Sequence, residues 1–200
     1  RKRLGNLLEA MIREVPGISF WCQTRYDLVD RDMVSLLKRA GADNVAFGLE
    51  SANPDVLEKI DKPIDLDRLS QVIRLTQDAG IQVELFSMFG LPGETFEQAL
   101  NTLKFVKDHQ VAVDGNSISQ QAHLFFGTPL NDRPDKYGIR PLRRTRPAYL
   151  SVCRDYETDQ MSQDAIRRAG LIWRLNREDF ADDVQNEMNL FYRAAFITQN

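Results

Sequence analysis

Two short segments carry side chains of the kind that bind or transform small molecules. Val45-Ala-Phe-Gly-Leu-Glu-Ser51 runs apolar and then ends in a carboxylate and a hydroxyl. Glu84-Leu-Phe-Ser-Met-Phe-Gly-Leu-Pro-Gly-Glu-Thr95 runs into a Gly-Leu-Pro-Gly turn whose Glu-Thr can open a helix. In parallel α/β sheets and barrels ligands sit at the carboxyl ends of the strands, so polar residues and glycines gathered there point to a site rather than to packing. The two oxygens of Glu50 suit a vicinal diol, although the same carboxylate could instead cap the following helix through backbone N–H groups. Gly90 and Gly93 either supply positive φ for a tight turn or let a ligand approach the backbone closely. Lys62, in Ile60-Asp-Lys-Pro63, could reach back over the site to a carboxylate or remain solvated. Gln23 and Arg25 close an earlier apolar stretch and would point at the same mouth, with Asp27 or Asp30 as alternative partners for Arg25.

These residues need a scaffold of strands and helices in alternation. Leu4, Leu7, Leu8, Met11, Ile12 and Val15 recur at helical spacing until Pro16-Gly17, before the strand-like Ile18 to Thr24. A helix over Asp30 to Ala40 follows, with Asp30 as N-cap and Gly41 past its end, then a strand over Asn44 to Glu50. A short helix near Pro54 to Ile60 and a longer one near Asp67 to Ala79 precede the strand Gln82 to Phe89. Thr95 with Gln98 forms a capping box for the next helix, and a fourth strand is expected over Asp114 to Phe126. Strands alternating with helices in this way imply right-handed βαβ units and a parallel sheet, open or curved into part of a barrel. Asn131 to Pro147 has little periodicity and reads as a loop; its Arg140, Arg143, Arg144 and Arg146 could meet phosphate or be solvated charge, the latter favoured by the balanced charge elsewhere. Helices return over Ser162 to Leu175 and Arg177 to Ala195, expected to pack on the sheet.

Composition narrows the function classes. With 200 residues and 42% hydrophobic content the chain can bury one substantial core, and a formal net charge of -3 gives no basic surface for nucleic acid or anionic lipid. No apolar run reaches the roughly 18 to 20 residues of a membrane span, and the N-terminus lacks signal-peptide order, so the expected compartment is the cytoplasm. Cys22 and Cys153 are the only cysteines and read as reduced, partly buried thiols. His109 and His123, far apart in sequence, suggest neither a metal pair nor a triad.

Taken in order, Gln-Thr-Arg-Tyr-Asp at 23 to 27, Gly-Leu-Glu-Ser at 48 to 51, Ile-Asp-Lys-Pro at 60 to 63, Gly-Leu-Pro-Gly-Glu-Thr at 90 to 95 and Phe-Gly-Thr-Pro-Leu at 126 to 130 resemble a known core. It is that of the radical S-adenosylmethionine (radical SAM) superfamily, in its elongator/methylthiotransferase-like group, of the kind often fused to an N-terminal cobalamin-binding domain. The resemblance, which runs to about residue 130, implies α/β architecture, with residues 1–130 as strands three to six of a partial (β/α)6 TIM-like barrel; residues 131–200 are expected as a loop and C-terminal helices packed on it. It implies S-adenosylmethionine as cofactor, with Glu50, beside Ser51, on the ribose, Lys62 near the methionine carboxylate, Met88 against adenine, and Gly90, Pro92 and Gly93 walling the base. Backbone near Ser119 to Gln121 would touch adenine, and Gln23 and Arg25 match the polar end of the third strand.

In that family a [4Fe-4S] cluster cleaves the cofactor to a 5′-deoxyadenosyl radical that takes hydrogen from a small-molecule substrate. Its Cys-x3-Cys-x2-Cys motif and glycine-rich second-strand stretch do not occur here, and two distant cysteines cannot replace three clustered ones. The expectation is therefore the C-terminal part of a longer protein, inactive alone, its cluster ligands outside this chain and cobalamin a possible second cofactor. A non-catalytic α/β binding module and a cluster-free parallel-barrel enzyme are the alternatives. Strands severed from two N-terminal partners would also leave the edge near Ile18 to Thr24 open to self-association.

Overall fold

Apolar periodicity and capping residues set the first half of the chain. The computed structural model describes residues 2–109, 111, 119–142 and 153–175. Helix α1 spans Lys2–Glu14 and gives way at Pro16 to Gly17, whose φ of 85° turns the chain into β1, Phe20–Gln23. Asp30 caps α2, Arg31–Ala40, by accepting from the backbone N–H of Met33 at 3.0 Å. Gly41, in the left-handed region at φ 98°, ends that helix and admits β2, Ala42–Glu50. Helix α3 is Pro54–Lys59, and α4, Leu66–Asp78, is capped by Asp65. Strand β3 is Gln82–Phe89, and α5, Phe96–Asp108, opens on the reciprocal Thr95 and Gln98 capping box.

The four main strands pair in parallel in chain order, β1-β2-β3-β4, with β4 at Ser119–Gln121. Alternation along β2 buries Val45, Phe47 and Leu49 in the main core, where Leu37, Leu69, Ile73, Leu85 and Val106 also lie. Trp21, Gln23, Asn44, Gly48, Glu84, Phe86 and Met88 fall on the opposite, open face by the same alternation and register. This arrangement is an arc of a TIM-like barrel with helices outside.

Beyond β4 the structure departs from the sequence reading. The expected strand over Asp114 to Phe126 is, within its described residues, two short strands in different sheets: β4 and then β5, Leu124–Phe125, which pairs antiparallel with β7, Cys153–Arg154. The expected loop from Asn131 holds α6, Pro129–Asp132, a 3₁₀ turn at Pro134–Tyr137 and β6, Ile139–Pro141. Strand β6 pairs antiparallel with β8, Tyr156–Thr158, and Arg140 bridges to Glu157 at 3.4 Å. Strands of two or three residues carry too few alternations to show a period, which is why the sequence concealed them. Helix α7, Gln163–Leu175, lays Trp173 on Phe89 with ring centroids 6.4 Å apart. Gly170 brings α7 close: a Cβ there would lie 2.9 Å from the Phe89 ring. Arg143, Arg144, Arg146 and the expected helix over Arg177 to Ala195 lie outside the described residues.

Candidate functional site

The site is built where β2 and β3 end. Strand β2 finishes on a bulge, because Gly48 pairs with Phe86 while Glu50, not Leu49, pairs with Ser87. Glu50 then sits at φ 57°, and across it Ser51 N–H donates to the Leu49 carbonyl at 2.6 Å. A non-glycine residue held in the left-handed region stores about 1 to 2 kcal/mol, and such residues gather at functional sites. The turn folds the carboxylate back over the open face: a Cβ on Gly48 would lie 3.3 Å from Glu50 Oε1. Lys62 reaches back from beyond α3 and donates to that oxygen. Glu50 therefore engages Lys62, and α3 begins instead on Asn53 as its N-cap residue. The Glu50 side chain is 13% exposed and that of Lys62 54%.

Ser51 takes a different place from Glu50. It is fully buried, and its hydroxyl lies in a knot with Asn53 and Thr102 that also reaches the Gln98 carbonyl. The knot joins the end of β2 to α5, so Ser51 supports the turn from beneath. Gln23 and Arg25 are exposed at the end of β1; of the two candidate partners, Asp27 takes Arg25, through two contacts at 2.9 and 2.7 Å. Hydrogen bonding from that guanidinium holds the Asp27 carboxyl below its ordinary pKa.

Met88, half-buried on the open face, pairs with Gln120 across the β3–β4 ladder. After Phe89 the Gly90-Leu-Pro-Gly93 turn uses φ 81° at Gly90 and 72° at Gly93. Both glycines are also contact points: a Cβ at Gly90 would lie 3.2 Å from the Tyr156 hydroxyl, and one at Gly93 2.2 Å from Lys59 Nζ. Leu91 and Pro92 are buried in the turn. Outside it, Lys59, Pro92, Gly93, Lys136, Tyr137, Gly138, Asp159 and Gln160 line a small cleft.

Glu94 and Tyr156 are the features that sequence reasoning missed. Glu94 is wholly buried; its Oε2 accepts from the N–H groups of Gly90 (2.7 Å) and Leu91 (3.3 Å), while its Oε1 has no partner among the described residues. Burial pushes its pKa up to about 7 against the pull of those two donors. Its signal was present, a carboxylate directly after the turn's last glycine. Tyr156, from β8, brings its hydroxyl to the Gly90 carbonyl at 2.7 Å and the Ala122 carbonyl at 2.8 Å, and no local pattern marks it. On the open face, nearer the strands' starts, Glu84 accepts from Trp21 Nε1 at 3.1 Å and from the Asn44 amide, closing the floor.

The two histidines stand apart. His109 is held by the Phe105 carbonyl and Ser70, and His123 packs edge-on to Phe125. Cys22 is a free thiol whose pKa burial raises, the opposite of a reactive thiolate. Among the described residues no group of three His, Cys, Asp or Glu side chains is placed to hold a metal ion, and no helix is long and apolar enough to cross a membrane.

Comparison with known proteins points in one direction. The family model of the radical SAM superfamily matches residues 1–106. An uncharacterized methyltransferase of Pyrococcus horikoshii is 28% identical over 107 residues, 54% of this chain and 23% of that protein. Among solved structures, the radical S-adenosylmethionine methyltransferase TsrM from Kitasatospora setae, with cobalamin and a [4Fe-4S] cluster bound, aligns with a TM-score of 0.60 at 22% identity, over 73% of this chain and 31% of its own. Coproporphyrinogen III oxidase from Escherichia coli, a radical SAM enzyme, aligns with a TM-score of 0.55 at 15% identity, over 86% and 36%. The chain thus spans about a quarter to a third of the length of these proteins.

Proposed function

Because the chain belongs to the radical SAM superfamily, we propose that the carboxyl ends of β2, β3 and β4 bind S-adenosylmethionine within a longer enzyme. Glu50 accepts from the ribose hydroxyls and Lys62 turns to the methionine carboxylate. Met88 packs on adenine, Gly90, Pro92 and Gly93 wall it, and the backbone of Ser119 to Gln121 touches its edge. Gln23 and Arg25 extend the polar rim, and Ser51 acts through its support of Glu50. The observation that carries this reading is Glu50, turned by a positive φ onto the open face over Gly48 and paired with a half-exposed lysine. An acceptor pair for a diol beside an ammonium for a carboxylate suits the two polar ends of that cofactor.

The iron-sulfur cluster does not fit this chain, which offers only Cys22 and Cys153 as thiolates. We therefore assign its ligands to the rest of the polypeptide, together with any cobalamin domain, and regard residues 1–200 alone as inactive. We assign residues 1–130 to strands three to six of the barrel and residues 131–200 to a loop and helices packed on it. The reducing cytoplasm, where Cys22 stays a thiol, is the proposed compartment. The substrate is a small molecule reached through the open face.

Calorimetric titration of S-adenosylmethionine into the full-length protein tests the assignment. Hydrogen bonds to a charged acceptor contribute about 1.5 to 3 kcal/mol each, so Glu50→Ala should weaken binding by roughly tenfold or more and Glu50→Gln by less. Glu50→Gly separates site from scaffold: it relieves the left-handed strain, so the melting temperature holds or rises while affinity is lost. Unchanged affinity in Glu50→Ala would remove Glu50 from the site.

A further inference from the structure

We propose that Tyr156 is a positioning residue for the adenine end of the cofactor site, an inference that rests on the assignment of the Gly90–Gly93 turn to that cofactor. Tyr156 lies on β8, in the irregular segment after the barrel strands, and is 3% exposed. Its hydroxyl lies between two carbonyls, Gly90 at 2.7 Å and Ala122 at 2.8 Å. These are the residues immediately after β3 and β4. The last backbone bond across this end of the ladder is Ala122 N–H to the Phe89 carbonyl, 2.9 Å. Beyond it the strands part, β3 into the Gly-Leu-Pro-Gly turn and β4 toward β5. The phenol is the tie that spans the parting.

The contact is too close to be casual packing. Gly90 lies so near the ring that a Cβ would sit 3.2 Å from both the hydroxyl and Ile166 Cγ2. Below, Glu94 holds the Gly90 and Leu91 amides, so the turn is gripped through its N–H groups from one side and through a carbonyl from the other. A planar base entering beside Met88 meets backbone from β3 on one side and β4 on the other. Tyr156 fixes the spacing of those two backbones without touching the ligand. A phenylalanine would fill the same volume and leave two carbonyls without the donor they share. Placement of such supporting contacts governs how precisely a site is held.

The test is Tyr156→Phe in the full-length protein, beside Leu37→Val, a core change on α2. Two readouts are needed: affinity for S-adenosylmethionine and S-adenosylhomocysteine, and ligand-free hydrogen exchange. Removal of the tie should weaken both adenosine-bearing ligands about tenfold, whereas Leu37→Val leaves affinity unchanged even where it lowers the melting temperature as much. Exchange at Gly90, Leu91 and Ala122 should accelerate together in Tyr156→Phe while that of β1 and β2 stays unchanged. Wild-type affinity in Tyr156→Phe overturns the role of Tyr156 while the cofactor assignment stands. A wild-type protein that binds neither ligand overturns that assignment, and the positioning role with it, and accelerated exchange would then mark a purely structural tie.

Discussion

At the scale of single residues, Glu94 has the clearest pH signature. Its neutral form is the one the fold favours, since burial raises the folded pKa from 4.5 to about 7. The sign follows: the stability it contributes is complete below about pH 4.5 and is lost as pH rises through about 7. One pKa unit corresponds to 1.36 kcal/mol, so the loss across that window approaches about 3 kcal/mol. Glu94→Gln keeps an oxygen to accept from Gly90 and Leu91 but cannot ionise. Thermal melts from pH 4.5 to 7.5 should therefore fall in the wild type and stay flatter in Glu94→Gln. Equal slopes would exclude Glu94 as the cause. Residue types alone pointed to Glu50, Lys62 and the Gly-Leu-Pro-Gly turn as candidates because charges and glycines at strand ends are informative in themselves. They could not separate Glu50 from Ser51, since adjacent residues at a strand's end part only when a bulge and a positive φ turn one outward and one inward.

At the scale of elements, the junction of β1, α2 and β2 shows what a glycine position can demand. Gly17 and Gly41 both adopt positive φ, 85° and 98°. Around Gly17 a Cβ would meet nothing within 4 Å, whereas at Gly41 it would stand 1.8 Å from the Ile18 carbonyl oxygen. Gly17→Ala should thus cost only the left-handed penalty of about 1 to 2 kcal/mol. Gly41→Ala must also push Ile18 away and strain the Phe20 N–H bond to the Gly41 carbonyl, raising the loss to about 3 kcal/mol or more. Urea midpoints of the two variants measure the difference, and equal losses would mean that the chain yields freely at Ile18. These first elements were legible because each has its own cap or pattern: Asp30 before α2, Thr95 with Gln98 before α5, the apolar run Val45 to Leu49 in β2. The described stretches 131–142 and 153–158 were not, because their pieces are shorter than the window in which a period becomes visible. Their order comes from partners distant in sequence, as with β5 and β7.

For the molecule as a whole, the open side of β1 is the exposed flank. Among the described residues β1 ends the sheet, with Trp21 on it 48% exposed and Ile18 just before it 43%, and unpaired strand edges template association. The isolated chain should show concentration-dependent light scattering that Trp21→Lys reduces, because charge on an edge strand opposes pairing. A monodisperse monomer over the whole concentration range would mean that this edge is already blunted. The strand order has a further consequence, in the time domain. Every neighbour in the main sheet is also the next strand in the chain. No early strand has to wait for a later one to be inserted beside it, so loop-closure entropy is met one crossover at a time. As the polypeptide leaves the ribosome, β2 can dock on β1 and β3 on β2 before the rest is made, whereas the phenolic tie from β8 to the ends of β3 and β4 closes only when synthesis of this region is nearly complete.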